Sequence, residues 1–263
     1  MATMTSGQQT PPLQEPARAP HPSPRRVRLG MLTPSSNTVL EPLTTAMLAG
    51  LPEVTAHFAR FRVTEIALST DALAQFDDSA ILAAAELLSH ARVDAIVWNG
   101  TSSGWLGFDA DHRLCERITA RTGIAAGTAM LALNELLRSR GARRLGLVTP
   151  YVPDVQARII ANYRGLGVDC VAERHLGIQD NFAFAEVAPA SLAQHVRAAA
   201  AAGPDAIAIT CTNLPAAPLV AGLETELGVP IYDTVATALW GALRLAGVDT
   251  RRVQGWGGLF AQG

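Results

Sequence analysis

The chain has 263 residues, of which 49% are hydrophobic and 17% charged, so it can bury the core of one large domain or two small ones. Its formal net charge is -2 and all 21 basic residues are arginines, which excludes a Schiff-base lysine and a phosphate-loop lysine. The near-neutral net charge and the content of 5% aromatic residues argue against a dedicated nucleic-acid binder. No apolar run reaches the roughly 18 to 20 residues of a membrane span. We therefore expect a cytoplasmic protein without nucleic-acid or membrane partners.

The first 26 residues are rich in Pro, Gln, Ser and Thr and lack apolar periodicity, so we predict a disordered tail at 1–26. From residue 27 onward, short apolar runs alternate with longer stretches of helical periodicity. The runs predict strands at 27–32, 57–63, 93–98, 143–148, 168–173, 204–210 and 229–233. The stretches predict helices at 38–49, 79–91, 111–122, 129–140, 154–166, 191–202, 216–227 and 234–245. This alternation is typical of α/β proteins with parallel sheets covered on both faces.

Three segments of the first half of the chain recur in the same order in the second half. Residues 28–34 resemble 144–150, residues 93–101 resemble 204–212, and residues 123–128 loosely resemble 228–234. We interpret this recurrence as an internal duplication that produces two similar α/β lobes. The lobes are predicted at 27–140 and 141–240, with 241–263 packing back on the first lobe.

Polar loops follow four of the repeated strands. These loops are 34–37, 99–103, 150–151 and 211–213. In open parallel sheets, ligands bind beyond the carboxyl ends of the strands. Two facing lobes would therefore bring the four loops together over a single cleft.

The three cysteines, Cys115, Cys170 and Cys211, are too few for a disulfide framework, and no spacing of Cys and His predicts a metal site. Cys115 lies in a predicted helix and Cys170 in a predicted strand, where cysteine usually acts as a small apolar residue. Cys211 follows a strand and precedes a helix predicted to begin near Ala216, a location that lowers the pKa of a thiol. We expect a reactive thiol at Cys211, and the alternative is a buried structural cysteine.

Gly100 occupies the place in the first repeat that Cys211 occupies in the second, which predicts a cleft with a single thiol. The next residues, Thr101 and Ser102, offer hydroxyl and amide donors for a carboxylate or a developing oxyanion. The alternative is a turn that caps the following helix. Tyr151 has the same two interpretations, as a phenol donor to an anion or as a packing residue.

Three further polar residues lie in predicted loops. Ser36 and Asn37 are either contacts for a diacid or the N-terminal cap of the helix predicted at 38–49. Asn181 is either an amide donor to the same ligand or an ordinary turn residue.

Several short motifs occur in an order that resembles a known group of enzymes. They are 33–38 (TPSSNT), 100–102 (GTS), 148–151 (VTPY), 176–178 (LGI), Cys211 and 255–260 (GWGGLF). From Val27 to Phe260 the chain resembles the aspartate/glutamate racemase superfamily, in the branch of maleate cis-trans isomerase and arylmalonate decarboxylase. The resemblance implies two pseudo-symmetric Rossmann-like lobes with parallel four-stranded sheets, and an active site in the interlobe cleft that needs no cofactor and no metal.

The resemblance also implies roles for individual residues. Those that match the maleate isomerases are Asn37, Tyr151, Asn181 and Cys211. Those that match the arylmalonate decarboxylases are Gly100, Thr101, Ser102, Tyr151 and Cys211. Gly100 separates the two groups, because the isomerases have a cysteine at that place.

We therefore expect a cofactor-independent decarboxylase of a small malonate-type dicarboxylic acid, with an enediolate held by an oxyanion hole and protonated by one cysteine. The expected catalytic residues are Cys211 and Tyr151, and the expected substrate-binding residues are Ser36, Asn37, Gly100, Thr101, Ser102, Asn181 and Thr212. The alternatives are a maleate isomerase-like enzyme without the first cysteine, a racemase, and a non-catalytic dicarboxylate binder. The substitution Gly100→Cys should give racemase-like behaviour if the rest of the cleft is unchanged. A homodimer is a possible assembly.

Overall fold

A computed structural model of the chain describes residues 25–69 and 78–261. The tail predicted at 1–26 lies outside these ranges except for Arg25 and Arg26. Asp94 accepts hydrogen bonds from the Arg25 guanidinium and from the backbone amide of Arg28, which fixes the start of the first strand. Within the ranges that the structure describes, no helix is both long enough and apolar enough to cross a membrane.

Two four-stranded parallel sheets form the centres of the two lobes, which confirms the predicted fold class. The first contains β1 (Val27–Pro34), β2 (Val54–Phe61), β3 (Ala95–Trp98) and β4 (Ala126–Thr128), in the order β2-β1-β3-β4. The second contains β5 (Arg144–Thr149), β6 (Asp169–His175), β7 (Ala206–Ile209) and β8 (Ile231–Asp233), in the order β6-β5-β7-β8. The two orders are equivalent, as expected of duplicated halves.

Helices cover the sheets. The α-helices are α1 (Leu40–Met47), α2 (Asp78–His90), α3 (Ser103–Leu106), α4 (Asp109–Thr122), α5 (Ala129–Ser139), α6 (Pro153–Gly165), α7 (Pro189–Ala200), α8 (Val220–Leu227) and α9 (Thr234–Leu245). Short 3₁₀ helices occur at Leu48–Gly50, Phe182–Glu186, Ala217–Leu219 and Thr250–Arg252.

Two of the differences from the prediction have a local cause. Strand β4 is absent from the predicted strands because it has only three residues, two of which are Ala and Gly, and both have low strand propensity. The repeat nevertheless pairs this segment with β8. Helix α8 begins at Val220 rather than near Ala216, because Pro218 cannot donate a backbone hydrogen bond and the turn around it is 3₁₀.

Helix α9 follows the last strand of the second lobe but packs on the first lobe, against α5, β3 and β4. Its start is capped by Asp233, whose Oδ1 accepts from the backbone amides of Val235 at 2.9 Å and Ala236 at 3.3 Å. The Thr237 hydroxyl then donates to the carbonyl of Ala129, at the start of α5. Helix α9 therefore connects the end of the second lobe to the first lobe.

Candidate active site

A small cavity lies between the lobes, at the carboxyl ends of β1, β3, β5 and β7. Its volume is about 20 Å³, which is room for about one water molecule. It is lined by Pro34, Val63, Ile66, Trp98, Gly100, Thr101, Ser102, Trp105, Tyr151, Asn181, Cys211 and Thr212. Seven of the nine predicted site residues are in this lining. A larger cavity of about 570 Å³ lies beside the lobe linker at Gly141 and contains none of them.

Cys211 lies two residues after β7 and is buried. Its backbone amide donates to the Thr234 hydroxyl at 3.0 Å, and that hydroxyl donates to the carbonyl of Ile209 at 3.2 Å. The amide of Asn213 donates to the Cys211 sulfur at 3.4 Å. The start of α9 and the loop after β7 therefore hold the thiol in one position.

Burial raises the pKa of the Cys211 thiol to about 12, so the expectation of a lowered pKa is wrong. The amide of Asn213 and the Tyr151 hydroxyl favour the thiolate, but they do not offset the loss of hydration. The helix that was expected to lower the pKa begins only at Val220, and an α-helix acts mainly within its first turn. Cys211 is therefore a neutral thiol at neutral pH, which suits a proton donor better than a nucleophile.

The other two cysteines are half-buried and lie outside the cavity lining. Burial raises the pKa of Cys115 and of Cys170 to about 12 as well. Among the described residues, no three side chains of His, Cys, Asp or Glu are grouped so that they could hold a metal ion.

Tyr151 joins the two lobes across the cavity. Its hydroxyl shares a hydrogen bond of 2.6 Å with the Thr101 hydroxyl. It also lies close enough to the Cys211 sulfur to favour the thiolate. Its ring packs edge-on against Trp105 and Phe184, with centroids 5.2 and 5.7 Å away. Burial raises the pKa of Tyr151 well above its ordinary value, so the phenol is a neutral hydrogen-bond donor. We call Thr101, Tyr151 and Cys211 the polar cluster.

Asn37 and Ser36 lie behind the lining and connect the lobes. The Asn37 amide nitrogen donates to the carbonyl and the hydroxyl of Thr212, at 3.0 and 3.2 Å. Its oxygen accepts from the amides of Val39 and Leu40 and so caps α1. The Ser36 hydroxyl donates to a backbone carbonyl and accepts from the Asn181 side chain at 2.7 Å. These contacts use both polar atoms of the Asn37 side chain.

Further hydrogen bonds between the lobes surround the cavity. The Thr212 hydroxyl donates to the carbonyl of Asn99 at 2.8 Å. The Asn213 amide oxygen accepts from the backbone amide of Thr38 at 3.0 Å, and within the second lobe its nitrogen donates to the carbonyl of Asn181 at 2.5 Å. The structure therefore shows a closed arrangement of the two lobes.

Asp233 is a buried carboxyl near the thiol that the sequence analysis missed. Burial raises its pKa to about 7, although two helix amides favour the ionised form. Its charge, when present, opposes ionisation of Cys211. The signal in the sequence was its position directly before α9, where Asp is a common N-terminal cap.

Trp98 is the second residue that the sequence analysis missed. An ideal Cβ on Gly100 would lie 1.9 Å from Cζ2 and 2.2 Å from Cε2 of the Trp98 indole. The ring therefore occupies the place where a side chain at residue 100 would begin. The substitution Gly100→Cys cannot leave the cleft unchanged, so it is not the simple test of racemase chemistry that we expected.

Trp98 also belongs to an apolar half of the cavity. Pro34, Val63, Ile66 and Trp98 line the cavity from the first lobe, and we call these four residues the apolar wall. The ring of Trp98 packs against Phe61, with centroids 5.0 Å apart. The cavity thus combines an apolar wall with the polar cluster.

The sequence pattern of the arylmalonate decarboxylase family matches residues 30–260. The chain belongs to the arylmalonate decarboxylase family. This membership confirms the resemblance to the branch of maleate isomerase and arylmalonate decarboxylase. The relatives of this family member carry both names, so membership alone does not choose between the two reactions.

Three relatives illustrate this division. Arylmalonate decarboxylase of Bordetella bronchiseptica is 33% identical over 164 residues, which cover 61% of this chain and 68% of that protein. Maleate isomerase of Geobacillus stearothermophilus is 25% identical over 237 residues, covering 86% and 94%. The crystal structure of a variant of maleate isomerase Iso from Pseudomonas putida S16 with maleate has a TM-score of 0.82 at 26% identity, covering 89% of this chain and 97% of that chain.

Proposed function

We propose that this family member is a cofactor-independent decarboxylase of a small malonate-type dicarboxylic acid. The observation that carries the proposal is the pairing of one neutral thiol with the apolar wall, where the Trp98 ring takes the place of a second thiol. Decarboxylation needs one proton donor, whereas racemisation needs an acid and a base on opposite faces of the substrate carbon. The single thiol of this cleft supports the one-donor reaction.

The polar cluster is suited to hold the carboxylate that the product retains. Thr101, Ser102 and Tyr151 are buried donors of this site. When the carbon–carbon bond to the other carboxylate breaks, carbon dioxide leaves and the bonding electron pair moves into the retained carboxylate, which becomes an enediolate. Preformed donors stabilise that developing charge.

The apolar wall is suited to the carboxylate that leaves. An ionised carboxylate loses hydration against apolar side chains, whereas neutral carbon dioxide does not depend on that hydration. Contact with the apolar wall therefore favours the state in which the charge has moved towards the polar cluster.

Cys211 is the proposed proton donor. Its thiol transfers a proton to the carbon that has lost carbon dioxide, and the thiolate then regains a proton from solvent. The Asn213 amide, which donates to the sulfur, and the nearby Tyr151 hydroxyl would stabilise the transient thiolate. Asp233 disfavours a permanent thiolate and so keeps the donor protonated between turnovers.

A maleate isomerase-like reaction is the second candidate. The presence of Asn181 beside Tyr151 and Cys211 in the cavity lining favours it, because these residues match the isomerase motif. Addition of a thiol to a double bond requires a thiolate, and burial opposes its formation at Cys211.

Proton NMR in deuterated water distinguishes these reactions. The substrates are malonate, methylmalonate, phenylmalonate, maleate and L-aspartate, and the expected result is loss of carbon dioxide from at least one malonate with deuterium on the new C–H bond. Cys211→Ala should abolish the reaction, and the matched control Cys170→Ala should retain it. Conversion of maleate to fumarate without loss of carbon dioxide from any malonate would replace the proposal with the isomerase.

A further inference from the structure

Trp98 takes up space in the first lobe that lobe opening would not release. Its indole lies against Gly100 and packs on Phe61, and all three residues belong to the first lobe. By contrast, the hydrogen bond between Thr101 and Tyr151 joins the two lobes, so separation of the lobes widens the cleft around the polar cluster. Opening therefore makes room for the carboxylates while the Trp98 ring stays in place.

The volume of the closed cavity shows how little space the Trp98 ring leaves for a substituent. This volume of about 20 Å³ compares with the roughly 150 Å³ that a buried apolar cavity needs to hold a benzene molecule. Trp98 is only 1% exposed, so the ring cannot rotate out without displacing the packed side chains around it. An aryl group on the substrate carbon would compete directly with the indole.

We propose that Trp98 is a specificity-determining residue that limits the α-substituent of the substrate to hydrogen or a small group such as methyl, and excludes aryl groups. This inference rests on the proposed decarboxylase function and names its substrate class. It separates this chain from the arylmalonate substrates that the family name describes. The Trp98 indole already occupies the space that the aryl group of such a substrate would need.

The test compares kcat/KM for methylmalonate and phenylmalonate. We expect the wild-type chain to prefer methylmalonate at least 100-fold. Trp98→Leu and Trp98→Ala should raise kcat/KM for phenylmalonate at least tenfold. Trp240→Leu removes a tryptophan of similar burial that is outside the cavity lining, so it should leave the preference of the wild type unchanged. Equal turnover of the two malonates by the wild type would overturn the inference.

Binding measurements keep the inference testable if no decarboxylation occurs. Calorimetric titration of wild type and variants with the same two diacids should show the same change of preference in Kd. Absence of turnover by any protein would overturn the proposed function, whereas tight phenylmalonate binding by the wild type would overturn only the role of Trp98. If the leucine and alanine variants do not fold, Trp98→Phe should give an intermediate preference, and an unchanged preference in that variant would count against the inference.

Discussion

The hydroxyl groups of Thr101 and Tyr151 are 2.6 Å apart although the two residues belong to different lobes. This contact places the polar cluster at the interface between the two lobes. Separation of the lobes around a ligand exposes both hydroxyl donors at once, and closure of the lobes directs both towards the same carboxylate. Donors arranged before the reaction stabilise developing charge without a reorganisation cost.

Removal of the Thr101 hydroxyl should therefore slow turnover without unfolding the protein. We expect Thr101→Val to lower kcat by about 100- to 1,000-fold, equivalent to about 2.7–4 kcal/mol of barrier, because one donor to the enediolate is lost. Steady-state kinetics and circular dichroism check both parts. Thr44→Val is the matched control, since Thr44 is buried in α1 and does not line the cavity. A normal kcat for Thr101→Val would contradict the role given to this hydroxyl.

The raised pKa of Cys211 predicts slow alkylation. Only the thiolate reacts with iodoacetamide, and burial raises the pKa of this thiol to about 12. The labelling rate of Cys211, followed by mass spectrometry of its peptide, should still increase with pH above 9. A rate that levels off near the ordinary thiol value of about 8.5 would show that the thiol is not held in its neutral form.

Asp233 should make stability fall as pH rises. In the unfolded chain its carboxyl ionises near the ordinary value of 3.8, whereas burial raises its pKa to about 7 in the folded protein. Raising the pH from about 4 to about 7 therefore ionises the unfolded chain first and lowers the free energy of unfolding by up to about 4 kcal/mol. Asp233→Asn keeps the cap oxygen and should reduce this fall, measured by urea unfolding at several pH values.

Asp205→Asn is the control for that experiment. Two backbone amides, those of Arg143 and Arg144, donate to Asp205 and lower its pKa, so its contribution to stability is present above pH 4 and is lost on acidification. In Asp205→Asn, the free energy of unfolding should still fall between about pH 4 and about 7. A fall of equal size in Asp233→Asn and wild type would show that Asp233 is not its source.

The contact between Gly100 and Trp98 predicts non-additive stabilities. Gly100→Ala should lower the free energy of unfolding by about 1–3 kcal/mol, because its methyl group would overlap the indole. In a Trp98→Leu background the same substitution should cost less, since the overlapping ring atoms are gone. Urea unfolding of the four proteins gives the coupling energy. Additive changes would mean that the ring already lies elsewhere in solution.

The repeat in the sequence predicted the two sheets and the meeting of loops from both lobes, because strand patterns and polar loop ends are local properties. The short strand β4 was missed as a strand, since Ala and Gly carry no strand signal. The pKa of Cys211 changed in the opposite direction to the prediction, because the degree of burial depends on side chains far apart in the sequence. For the same reason, the apolar wall and the position of Trp98 required the folded structure. The roles assigned to the site residues stay predictions.

Helix α9 also determines the order in which the chain can fold during its synthesis. It covers β3, β4 and α5, and its Thr237 bonds to Ala129, which is 108 residues earlier in the sequence. On the ribosome, the first lobe emerges with this face uncovered, although amino-terminal units generally fold first. We therefore expect its folding to finish only after the second lobe has been translated, so that the two halves reach their final packing together.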